Sequence, residues 1–87
     1  MTFKDINAKF KKGKPEGKGS IKYKDGSTLQ GTFVNGRING KVRFFNKKDK
    51  LMAVGLYEKG LPNGPFWIYS YHQDQFAQVS LIIVTAE

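Results

Sequence analysis

The chain has no cysteine in its 87 residues, so neither a disulfide framework nor a thiolate zinc site is available to it. It has one histidine, His72, with Asp74 two positions on. A lone imidazole without a second histidine or a cysteine is poor ground for a metal site or for a Ser-His-Asp set, although Ser70 and Ser80 are close in sequence. No apolar run approaches the roughly 20 residues needed to span a bilayer as a helix. The opening Met1-Thr2-Phe3-Lys4-Asp5 has neither the apolar core of a secretory leader nor the Met-Gly start of a myristoylated chain. An intracellular setting, cytoplasmic or nuclear, is therefore expected. Lys and Arg are missing from residues 61–87, which carry only Asp74 and Glu87. The fifteen cations all lie before that point and leave a formal net charge of +8. A basic front and a nearly neutral, apolar back imply two different surroundings.

Against these absences stands a repeat. Gly13, Gly36 and Gly60 are 23 and then 24 residues apart. Gly17, Gly40 and Gly64 keep the same two intervals, and so do Phe10, Phe33 and Tyr57. Three columns in one register define an array in which each unit stacks on its neighbours. Inside a unit the period is two. Gly19, Ile21 and Tyr23 alternate with Ser20, Lys22 and Lys24, and Leu29, Gly31 and Phe33 alternate with Thr28, Gln30 and Thr32. Lys24-Asp25-Gly26-Ser27 between them has turn chemistry. A unit thus reads as a β-hairpin joined to the next by an Asn-Gly step. The expected body is all-β, an elongated single-layer antiparallel sheet of consecutive hairpins forming one domain over 1–87. It divides into a partial repeat 1–16, repeats 17–39 and 40–63, and a degenerate repeat 64–87. Repeat turns are expected at Gly13, Gly17, Asp25, Gly26, Gly36, Gly40, Gly60 and Gly64. Aromatic rings from neighbouring units (Phe10, Phe33, Tyr57; Tyr23, Phe45) are expected over the strand glycines Gly19, Gly31 and Gly55, which otherwise weaken a ladder. Unit three carries one extra residue near Asn46–Lys50.

The run Gly17, Gly19, Tyr23, Asp25, Gly26, Leu29, Gly31, Phe33, Asn35, Gly36 and Gly40 resembles the MORN repeat position by position. Residues 25–40 and Asn63-Gly64-Pro65-Phe66-Trp67-Ile68-Tyr69 look like the MORN region ahead of the catalytic domain of a SET-domain histone-lysine methyltransferase. Unit three departs from the pattern: Val42 replaces its second glycine and the Asp-Gly turn is missing. The resemblance implies scaffolding, partner binding and, in some cases, contact with acidic phospholipid. It supplies no catalytic residue and no cofactor, and no SET motif stands in this chain, so a non-enzyme is expected.

Lys9, Lys11, Lys12, Lys14, Lys18, Lys22 and Lys24 form the strongest binding candidate. Such a cluster attracts an acidic protein segment, an anionic membrane (about 1 kcal/mol per cation near the surface) or nucleic acid. Its plain alternative is a solvated face that keeps an open sheet soluble and blocks edge pairing. Gly13-Lys14-Pro15-Glu16-Gly17-Lys18-Gly19 fails as a phosphate loop, because three residues rather than four separate its glycines and no Ser or Thr follows the lysine. Gly17-x-Gly19-x-x-Lys22 likewise fails the dinucleotide fingerprint at its third glycine. Trp67, Tyr69 and Tyr71 share one side of a strand whose other side is also apolar. Either a loop or the final segment covers the second side, or it docks a protein partner or a further domain. Val79-Ser80-Leu81-Ile82-Ile83-Val84 is β-prone and uncharged; a terminal strand, a dimer interface and a tail are all open to it.

Overall fold

A computed structural model describes residues 3–71 and 77–85, and it is all-β, as expected. His72 and Asp74 lie outside the described residues. The strands are β1 (Phe3–Lys11), β2 (Lys14–Tyr23), β3 (Thr28–Val34), β4 (Arg37–Ile38), β5 (Gly40–Phe45), β6 (Leu51–Glu58), β7 (Leu61–Tyr71) and β8 (Ala77–Val84). They form one antiparallel sheet in chain order, with the short β4 paired to β3 beside β5. The body measures 47 × 27 × 20 Å.

Two glycine columns that look alike in sequence do different work. Lys12-Gly13, Asn35-Gly36 and Lys59-Gly60 are tight turns in which both central residues have positive φ (53 and 79, 52 and 84, 52 and 85°). That is the two-residue hairpin geometry whose twist matches the flanking strands. Asn35-Gly36 is thus a hairpin turn between Val34 and Arg37, not a looser linkage between units. Gly17, Gly40 and Gly64 also have positive φ, at 83, 92 and 111°, yet they are not turns. Gly17 lies within β2, Gly40 opens β5 one residue after β4, and Gly64 lies within β7. The pairing register shifts at Gly17 and at Gly64 while their strands continue, and Gly40 makes the corresponding corner between β4 and β5, a conformation a residue with Cβ rarely adopts.

The corners tie successive repeats together. Asn39 Oδ1 accepts a hydrogen bond from Lys59 N at 3.0 Å, and Glu16 Oε1, one repeat earlier, accepts from Asn35 N at 3.3 Å. In the same register the stem of Lys14 lies under Gly36, and that of Arg37 under Gly60. Two kinds of link join the strands at the other end. Asp25 Oδ1 accepts from Ser27 N (2.8 Å) and Ser27 Oγ (2.6 Å). After β5, Asn46 Oδ1 accepts from Lys48 N (2.9 Å) and Lys50 N (3.0 Å), and Asp49 takes φ 61°. The extra residue of unit three is absorbed in this longer connection.

Alternation sorts side chains onto two faces. One holds the core: Leu29, Phe33, Ile38 and Val42 are buried, with Ile6, Ile21, Tyr23, Phe44, Tyr57 and Phe66 against them. A row of small residues runs through this face, Ala8 opposite Gly19, Gly19 opposite Gly31, and Gly55 between Val42 and Phe66. A Cβ on Gly19 would meet Phe33 Cε2 at 3.1 Å, and one on Gly55 would fall within the Phe66 ring. At Gly31 the neighbours are aliphatic, Val42 Cγ1 and Ile38 Cγ2. So Phe33 covers a strand glycine as expected, while the ring over Gly55 is Phe66, which was not among those expected. Residues 79–84 belong to β8, which pairs with β7 from Val84 opposite Gly64 to Ala77 opposite Tyr71.

Candidate functional site: a polar groove that turns apolar

The second face carries the candidate site. Pairing puts Asn7 of β1 opposite Ser20 of β2, Ser20 opposite Gln30 of β3, and Gln30 opposite Arg43 of β5. Beside this row stand Lys9, Lys18, Thr32 and Lys41. Together they line an open groove of about 670 Å³ whose floor passes Gly19 and Gly31. Its wall holds four cations, Lys9, Lys18, Lys41 and Arg43, and no carboxylate. All four are exposed. The cations come from three strands, β1, β2 and β5, and from three successive repeats, so only the sheet assembles them.

The seven lysines grouped by sequence are therefore divided. Lys9 and Lys18 line the groove. Lys22 lines a smaller neighbouring hollow with Asp5, Asn7, Ser20 and Thr28. Lys11, Lys12 and Lys14 surround the first hairpin turn, and the Lys14 stem is engaged against Gly36. Lys24 opens the link to β3. Lys41 and Arg43 were not grouped with them. Their signal in sequence was the alternation Lys41-x-Arg43 against Val42 and Phe44, which puts both on the polar face.

The same row continues and changes character. Arg43 faces Val54 of β6, Val54 faces Trp67 of β7, and Trp67 faces Leu81 of β8. Leu56 and Trp67 are each 39% exposed, and Leu81 is 57% exposed. Strand β8 lies beside this surface and not over it. Of the three aromatics proposed for docking, Trp67 is exposed and Tyr69 half-buried. Tyr71 is otherwise engaged: its hydroxyl donates to Leu51 O at 2.6 Å, and Lys50 Nζ sits 4.1 Å from its ring centre. It braces the β5–β6 link, and Trp67 is the most exposed of the three.

Titration is perturbed away from the groove. Hydrogen bonds from the Ser27 hydroxyl and then from its backbone N–H hold the Asp25 carboxyl below the ordinary range. Burial raises the phenols of Tyr23 and Tyr57. Among the described residues no three His, Cys, Asp or Glu gather where they would hold a metal ion, and no helix is long and apolar enough to cross a membrane.

This geometry defines a class, a single antiparallel sheet of consecutive β-hairpins. The family model that matches is the MORN repeat, over residues 9–28 and 30–41, a little over a third of the chain. Over those residues the chain is similar to a non-catalytic repeat fold that generally serves protein or membrane interaction. No curated protein matches the chain.

Proposed function

We propose that this chain is a non-catalytic interaction module whose polar face grips an acidic segment of a partner protein. One observation carries the proposal: Lys9, Lys18, Lys41 and Arg43 converge on one groove without a carboxylate in its wall. A cluster of cations in a groove raises the local concentration of anions and speeds their capture, and salt weakens both effects. An intracellular setting, cytoplasmic or nuclear, goes with this reading. The closer likeness to the repeats ahead of a SET-domain methyltransferase rests on residues 25–40 and 63–69 alone. The family match reaches only the repeat.

The test is capture of a fluorescent oligoglutamate peptide by the native chain and by the Lys18→Glu, Lys41→Glu, Arg43→Glu variant. These side chains are exposed, so an unchanged melting curve is expected. The variant should bind at least tenfold more weakly, and the native affinity should fall between 50 and 300 mM salt. Equal binding by both proteins would end the proposal. Vesicles with and without acidic phospholipid form the second arm. Tight binding to acidic vesicles with none to the peptide would replace the protein partner by a membrane surface.

A further inference from the structure

We infer that the binding face takes an extended peptide with carboxylates in one half and apolar side chains in the other, laid across the strands. The inference rests on the reading of the basic groove as the binding surface, and adds the other half of the ligand. Its basis is one unbroken row of facing residues: Asn7, Ser20, Gln30, Arg43, Val54, Trp67 and Leu81. The row crosses from β1 to β8 and changes chemistry once, between Arg43 and Val54. Before that step it is polar and flanked by Lys9, Lys18 and Lys41; after it, Trp67 and Leu81 are exposed and uncharged, with Leu56 beside them.

Exposed apolar side chains continuous with a charged groove mark an interface, since a patch without a partner costs solubility. Charge complementarity assigns the acidic half of the ligand to β1–β5, and burial of Trp67 and Leu81 assigns the apolar half to β6–β8. Adjacent strands are about 4.8 Å apart, so the six steps of the row span roughly 29 Å, which an extended chain rising about 3.4 Å per residue covers with about nine residues. The ligand lies across the strands, so side chains hold it and no sheet edge is needed. Trp67, as the anchor of the apolar half, is also the only tryptophan and reports its own burial.

The experiment uses labelled nonapeptides of one composition, four glutamates and four leucines about a central glycine. Two have the halves in blocks, in either order, and one interleaves them; an all-acidic peptide is the reference. One block order should bind at least tenfold more tightly than the interleaved peptide and shift Trp67 emission to the blue, while the acidic peptide leaves the emission unchanged. Trp67→Ser or Leu81→Ser should lower the block peptide to the level of the acidic one without affecting the acidic one. Arg43→Glu should weaken both. Equal binding of block and interleaved peptides, or serine variants that weaken the acidic peptide as much as the block, overturns the inference while the basic groove stands. Acidic-peptide binding that ignores Arg43→Glu overturns the underlying function instead.

Discussion

Phe10 and Phe33 hold the same position in successive repeats, and 59% of one is exposed against 2% of the other. Both sit two residues before a tight turn whose central residues take the same left-handed conformations. What differs is the neighbour. Phe33 reaches back over Gly19 of the preceding strand, and no strand precedes β1 for Phe10 to reach among the described residues. Burial in a stacked array is thus conferred by the adjacent unit, which is why such folds behave as sums of nearest-neighbour terms.

The sharpest way to break this comparison is alanine at both positions. Phe33→Ala should cost about 3–5 kcal/mol, the range for emptying a buried aromatic site. Phe10→Ala should stay within about 0.5 kcal/mol, as for an exposed side chain. Urea midpoints measure both, and similar losses would show that the first hairpin is as well packed as the second. Next come the strand glycines. Gly55→Ala should cost roughly 1–3 kcal/mol, because its methyl must displace the Phe66 ring. Gly31→Ala should cost less, since Val42 Cγ1 at 3.0 Å and Ile38 Cγ2 at 3.3 Å need move only a few tenths of an ångström.

The turns offer a smaller contrast with the opposite sign. Asn35, Lys12 and Lys59 share left-handed φ near 52°, a conformation that asparagine tolerates better than lysine. Lys59→Asn should stabilise by about 0.5 kcal/mol and Asn35→Lys destabilise by a similar amount in thermal melts. The smallest effect concerns pH. Asp25 and Asn46 brace equivalent links with a side-chain oxygen, but only Asp25 titrates. Its folded-state pKa is depressed by the Ser27 hydroxyl and N–H, so its contribution is present above the unfolded carboxylate value near 4. That contribution is lost as pH falls through the lower folded value. The acid limb of a stability–pH curve should therefore flatten in Asp25→Asn. Asn46→Ala should lower stability at every pH without changing that limb.

The chain's order alone carried the repeat. The intervals of 23 and 24, the two-residue alternation and the turn residues are local, and each strand's preference follows from its neighbours in sequence. The basic front and apolar back were equally legible. Less so was the difference between a hairpin turn and a corner, because Gly13 and Gly17 both meet a need for positive φ and only pairing tells whether the strand reverses or continues. The tertiary structure alone decided that Lys41 and Arg43 join Lys9 and Lys18, that Lys14 underlies Gly36, that Tyr71 braces a turn, and that Trp67 continues a row begun at Asn7. These residues are neighbours through hydrogen-bonded registers between distant segments. Alternation assigns a side chain to a face, but only strand pairing assigns it a neighbour across the sheet.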